Sequence, residues 1–231
     1  MSQIEFGLYY IPDGDSTFYK MGSKIVGYDI RNEEIMDSQE VGGVNFENIW
    51  KTDSRQYGLH ATITDVVTAD SRVLSTVVRQ VSGIIKDTDY RNTEIHIQKV
   101  ESPKDNQSII VASVKRTNEI KNLHRRLLKI QNCGDSTIYT RRIKSHPKWV
   151  DALTSEQQKN LRRYMSPYVL SEFLPHFTLL NPFAGDDDQI TKDINNLLSL
   201  PTSLKLQSIS LVGRNYGDEF LKIYDEIPVN K

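Results

Sequence analysis

Two short stretches decide how this chain reads: YGLHATITD at 57–65 and LPHFTLL at 174–180. Both alternate polar and apolar residues, the pattern of a β-strand with one face in a core. In a strand, residues i and i+2 share a face. His60, Thr62 and Thr64 therefore lie on one face, and Leu59, Ala61 and Ile63 on the other. His176 and Thr178 share a face opposite Phe177 and Leu179. With its apolar face in the core, each strand presents a His-x-Thr pair to a cleft or to solvent.

The order of elements around the two strands repeats. After the strand at 57–64 comes a helix at about 69–86, with Val73, Val77, Val81 and Ile84 or Ile85 at helical spacing. Strands at 93–100 and 108–114 follow it. After the strand at 174–180 comes a helix opened by Asp186, Asp187 and Asp188 and running to about 200. Strands at 204–212 and 220–227 follow that one. Ile95 lies 35 residues beyond His60, and Ile209 lies 33 beyond His176. This repetition predicts an α+β fold: one bilobal, pseudo-twofold duplicated domain over 1–231, each lobe built around one motif strand.

Elsewhere, 4–11 reads as a strand stopped by Pro12-Asp13-Gly14, and 13–56 as loop with one short helix. Thr117 caps a helix reaching about 130. The stretch 131–150 is mixed and basic, without a clear element. Thr154 to Gln157 has capping-box character and opens a helix that ends before Pro167.

Composition narrows the function classes. The chain has 231 residues, 29 Lys+Arg against 30 Asp+Glu, and a net charge of -1. A chain-wide basic coat for long duplex nucleic acid is not expected. No apolar run approaches the ~20 residues of a membrane span, and the start MSQIEFGLYYIP lacks the features of a leader. The single cysteine, Cys133, forms no intramolecular disulfide and sits in no nucleophile pattern. A cytoplasmic, monomeric protein in a reducing compartment is the expectation.

Two facing histidines suit phosphodiester cleavage. One takes a proton from the attacking oxygen and the other gives one to the leaving oxygen on the far side of phosphorus. Each threonine hydroxyl, two residues on, can donate to a non-bridging oxygen. No metal or other cofactor is expected: a zinc site on His60 and His176 would need another ligand, and Asp186–Asp188 fit a helix cap better than a cation. Tyr9, Tyr10, Tyr57 and Tyr168 could stack a base or reach the phosphate, against the competing reading that they pack in sheets. Arg141, Arg142, Lys144, Arg162 and Arg163 could hold a second phosphate, against a solvated basic face. His96, His124 and His146 lack the threonine partner and are expected to play no part, so His124→Ala should leave turnover unchanged.

At these residues the chain resembles the two-histidine (2H) phosphoesterase superfamily, whose signature is a pair of His-x-Thr/Ser motifs. The nearer resemblance is to a bacterial branch often encoded beside phosphonate-degradation genes. It is carried by GLYYIP at 7–12, by Phe18, Met21-Gly22 and Gly27-Tyr28-Asp29, by YGLHATITD, and by SPYVLSEFLPHFTLLNPF at 166–183. The basic runs RRIKSHPKW at 141–149 and LTSEQQKNLRRY at 153–164 are also similar. The resemblance implies two lobes, each an antiparallel sheet with helices outside, and a central groove holding His60, Thr62, His176 and Thr178 as the active-site quartet. Branch members tend to carry a basic residue two beyond the first threonine; Thr64 stands there instead and is a candidate substrate contact.

The expected function is metal-independent cleavage of a small phosphodiester such as a cyclic nucleotide, an RNA-end 2′,3′-cyclic phosphate or a cyclic sugar phosphate. The competing reading is a non-catalytic module holding a nucleotide or RNA end in the same groove; a third is a structural protein with no groove. On the first reading the two imidazoles should face one cleft, roughly 5–8 Å apart.

Overall fold

The apolar run of residues 4–11 forms the innermost layer of the fold. In the computed structural model, which describes residues 3–36, 40–41, 44–45, 53–103, 109–183 and 187–229, it becomes strand β1 (Gln3–Tyr10). Ser16 then caps helix α1 (Thr17–Val26), its hydroxyl accepting from the Tyr19 amide. The helix ends at Gly27, at φ 86°, a conformation that favours glycine. A short hairpin pairs Tyr28–Asp29 with Glu34–Ile35.

The remaining elements are β2 (Ala61–Asp70), α2 (Leu74–Lys86), β3 (Glu94–Glu101), β4 (Ile110–Val114) and α3 (Asn118–Leu127). Then come α4 (Ser136–Ser145), α5 (Pro147–Ala152), α6 (Ser155–Tyr164), β5 (His176–Leu180), α7 (Asp187–Leu198), β6 (Ser203–Lys205), β7 (Ser208–Asn215) and β8 (Lys222–Pro228). Thr117 caps α3, and Thr154 with Gln157 closes a capping box on α6. The fold is mixed α+β. Its eight main strands form one curled antiparallel sheet in the order β6-β3-β4-β5-β2-β1-β7-β8.

Four sequence expectations change, each for a local reason. The strand expected at 57–64 begins later and runs on to Asp70, behind a 3-10 turn at Asp53–Tyr57. Its alternation breaks because β2 carries two irregularities: Tyr9 pairs with Thr62 and Leu8 with Thr64, leaving Ile63 extra, and Phe6 pairs with Val67, so Gly7 faces both Asp65 and Val66. The helix expected from 69 begins at Leu74, after Asp70 has capped a 3-10 turn at Ser71–Val73. The basic stretch 131–150 is helical, with Pro147 in the first turn of α5. The strand expected at 204–212 is two strands in opposite halves of the sheet: β6 pairs with β3 at one edge, and β7 lies between β1 and the edge strand β8.

The two motif strands are neighbours at the centre of the sheet. β2 and β5 pair at one position, Ala61 opposite Phe177. Phe177 is fully buried, edge-on to Phe18 at 5.1 Å and to Tyr10 at 6.1 Å between ring centroids. Ala61 is 2 % exposed, so one methyl and one benzyl group join the two halves of the sheet in the core. Phe177→Ala should cost about 3–5 kcal/mol in a denaturant titration; a loss below about 1 kcal/mol would show that this contact does not tie the halves together.

Candidate active site

The burial of Ala61 and Phe177 dictates where their neighbours point. Side chains alternate along a strand, so His60 and Thr62 flank Ala61 on the other face, as His176 and Thr178 flank Phe177. Counted antiparallel from the Ala61–Phe177 pair, His60 stands opposite Thr178 and Thr62 opposite His176. The histidines then lie on a diagonal, about 7–8 Å apart for such neighbours. The charge of His176 also bears on His60.

Both imidazoles are held by the same device. Nδ1 of His60 lies 2.9 Å from the Gly58 carbonyl, and Nδ1 of His176 lies 2.8 Å from the Leu174 carbonyl. A carbonyl only accepts, so Nδ1 carries the proton in each ring and Nε2 is left as the working nitrogen. Nε2 of His60 meets the Thr62 hydroxyl at 3.2 Å. Gly58 sits at φ 65°, and a Cβ there would fall 2.8 Å from Cβ of Ile30. Only glycine can present its carbonyl to His60 at this point.

The site depresses proton affinity. Burial pulls His60 down to about 4; the Gly58 carbonyl opposes this, and the His176 charge adds to it. Burial also lowers His176, against its Leu174 hydrogen bond and the charge of Asp65. Tyr9 stacks flat on His60, with ring centroids 3.8 Å apart and planes at 10°. Burial raises the Tyr9 hydroxyl well above its ordinary range, so it stays a neutral donor. Tyr57 approaches His60 at 6.3 Å. The Arg214 guanidinium lies 5.8 Å from the Tyr57 ring, held by Glu5 at 2.7 Å, the Gln56 side chain at 2.9 Å and the Glu219 carbonyl at 2.7 Å.

Other candidates go elsewhere. Thr64 is not a groove residue: it is 2 % exposed, and its hydroxyl accepts from the Leu8 amide at 3.2 Å beside the bulge. Asp65, just past the strand expected at 57–64, is instead a bulge residue within β2 whose charge reaches both His176 and Tyr9. Tyr10 is a core residue; its hydroxyl donates to the Lys205 carbonyl at 3.3 Å. Tyr168 is 52 % exposed. Lys144, Arg162 and Arg163 are exposed, with Arg162 on Gln158 and Arg163 over Tyr164. Arg141 and Arg142 belong to α4, but their side chains, like that of Asp187 and the whole of Asp186, lie outside the described part of the structure.

His124 is not a spectator. It is 2 % exposed, stacks on Phe173 at 3.8 Å, donates from Nδ1 to the Ile63 carbonyl at 2.7 Å, and accepts at Nε2 from the Leu170 amide at 3.0 Å. It thus ties β2 to the segment that delivers His176. The expectation that His124→Ala leaves turnover unchanged is withdrawn. Its sequence signal is its place on the buried stripe of α3 with Ile120, Leu123 and Leu127.

Among the described residues, no group of three or more His, Cys, Asp and Glu side chains is arranged to hold a metal ion. No described helix is long and apolar enough to cross a membrane. No family model matches the chain, and no curated protein matches it.

Two outcomes follow from the buried histidines. Burial pulls His124, like His60, down to about 4. The unfolded chain therefore binds more protons below about 6.5, so stability should be full above that pH and fall as pH drops towards 4. Urea midpoints at several pH values test this, and a flat profile would contradict it. His124→Ala should lose about 2–4 kcal/mol, because it opens a cavity and orphans the Ile63 carbonyl and the Leu170 amide.

Proposed function

We propose that this chain is a metal-independent phosphodiesterase acting on a small, cyclic or terminal phosphodiester. The observation that carries the reading is the matched pair of imidazoles, each anchored through Nδ1 to the carbonyl two residues before it, with Nε2 left for chemistry. They flank one strand junction and share its outer face with Thr62 and Thr178. A phosphoryl group seated there has one Nε2 for the entering oxygen and one for the leaving oxygen. Thr62 and Thr178 donate to the non-bridging oxygens as charge builds on them. Tyr9 and Tyr57 wall the His60 side, where an aromatic base or a sugar face can lie.

The finer architecture belongs to the same proposal. β1-α1 leads to β2-α2, and β4-α3 leads, through α4 to α6, to β5-α7. Outward from the junction, β2 is followed by β1 and β7, and β5 by β4 and β3. This correspondence supports a duplicated, bilobal domain with the groove along its pseudo-twofold axis. A cytoplasmic location and a monomeric state fit a small-molecule enzyme of this kind.

The test is turnover on a panel of cyclic nucleotides, RNA-end 2′,3′-cyclic phosphates and cyclic sugar phosphates, with product analysis. His60→Ala and His176→Ala should each lose about 10²–10⁴-fold in kcat/KM, and Thr62→Ala and Thr178→Ala about 10–10³-fold. His96→Ala, at a side chain 39 % exposed, should stay within a few-fold of the parent. Activity should survive a chelator. Binding with no turnover on any substrate would leave a nucleotide-holding module. Either histidine variant remaining near parental activity would reject the acid–base pair.

A further inference from the structure

The irregularities in β2 do more than interrupt an alternating strand. The shift between Leu8 and Tyr9 turns Ile63 and Thr64 both inward, where the Thr64 hydroxyl serves the Leu8 amide. Asp65 is therefore the next residue after Thr62 on the histidine face, and Thr62 stands opposite His176; the second bulge, at Asp65 and Val66, follows. Gly7 stands opposite the bulge, and its lack of a side chain makes room there. A Cβ at Gly7 would lie 3.3 Å from Cε1 of Tyr9, 3.3 Å from Cγ2 of Val66 and 3.2 Å from the Thr64 carbonyl.

Asp65 is clamped from the other side of the site. Ser166, 1 % exposed, donates its hydroxyl to Oδ2 of Asp65. Ser166 opens the segment that runs from α6 into β5. Asn160 holds that segment through the Pro167 and Val169 carbonyls, and Arg116 and His124 hold it at Leu170. The contact therefore joins the bulge of the first motif strand to the approach of the second. Among the described residues, the charged and titratable groups that act on or with His176 are His60, just before β2, and Asp65 of β2, with the neutral Tyr9 of β1 stacked on His60. On its other flank His176 pairs in register with Ser113 of β4, beyond which Lys99 of β3 is engaged by Glu101 at 2.9 Å. In the approach to β5, Glu172 is engaged by Gln157 at 3.1 Å. Asp65 is thus the carboxylate whose charge bears on His176.

We propose that Asp65, clamped by Ser166 at the bulge of β2, is the positioning residue that makes His176 the proton donor of the pair and leaves His60 as the base. The inference rests on the phosphodiesterase reading and removes its left–right ambiguity. Nε2 of His60 takes a proton from the attacking water as the new P–O bond forms. The P–O bond to the leaving oxygen breaks, and that oxygen takes the proton from Nε2 of His176. One proton enters and one leaves the pair, and exchange with solvent restores both rings. The carboxylate favours the charged form of the imidazole that its charge reaches; His60, buried and stacked under Tyr9, stays neutral.

The experiment is an NMR pH titration of the imidazole Cε1–H signals of His60 and His176 in the parent, Asp65→Asn and Asp65→Glu chains, alongside pH–rate profiles. In Asp65→Asn the His176 midpoint should fall, and by more than the His60 midpoint. The alkaline limb of kcat/KM should move to lower pH by the same amount, with kcat at pH 7 down roughly tenfold and KM little changed. Asp65→Glu should restore most of the parental profile. Should Asp65→Asn fail to fold, Ser166→Ala, which releases the clamp, should move His176 in the same direction. A His176 midpoint indifferent to both changes, or a shift confined to His60, overturns the proposal. The titration needs no substrate. A parent chain without turnover whose His176 still answers to Asp65 would sink the enzymatic reading while leaving this electrostatic coupling in place.

Discussion

One contact organises the molecule: the pairing of Ala61 with Phe177 where β2 meets β5. Both side chains are in the core, and among the described residues this is the one position at which the two strands are paired in the ladder. Burying an aromatic ring there contributes on the order of 2–3 kcal/mol from area alone. Its larger consequence is directional. Alternation along each strand forces the residue before and the residue after to the opposite face, and those residues are two histidines and two threonines. The hydrophobic term that joins the halves of the sheet thereby also aims the polar quartet.

The histidine face of the sheet then does what exposed imidazoles would not. Both rings are fixed in tautomer and rotation by a carbonyl two residues upstream. His60 is additionally sandwiched against Tyr9, which removes water from one of its faces. Removing water lowers proton affinity, because a charged imidazole loses hydration that the site does not replace. A bound phosphodiester, which is anionic, would reverse part of that loss for whichever ring faces it.

The supporting shell is built from hydrogen bonds across sequence rather than along it. Thr64 serves β1, His124 links β2 to the approach of β5, and Ser166 closes on Asp65. Arg214 fastens the Tyr57 side through Glu5, Gln56 and Glu219. The Leu8 amide, the Ile63 carbonyl and the Ser166 hydroxyl each find their partner in a buried setting, the condition under which polar groups stabilise an interior.

The local part of this arrangement was legible in the sequence. Period-2 alternation identified the two motif strands, side-chain parity put His60 with Thr62 and His176 with Thr178, and Thr117 and Thr154 announced their helices, because each depends on a few adjacent residues. What alternation could not carry were the irregularities in β2. A strand that inserts extra residues at two points looks, in sequence, like a strand that stops, so alternation puts Thr64 on the histidine face and ends the strand before Asp65. The partner that settles their places is β1, some 56 residues away along the chain at the Leu8–Thr64 contact. His124 and Ser166 were silent for the same reason: a histidine on a helix and a serine before a proline acquire their roles only when Leu170 and Asp65 arrive from elsewhere. The sequence by itself determined that His60 goes with Thr62 and His176 with Thr178 on one face of each motif strand. Only the tertiary structure decided how those faces meet, because pairing register, bulges and burial are settled by contacts between residues that no local pattern connects.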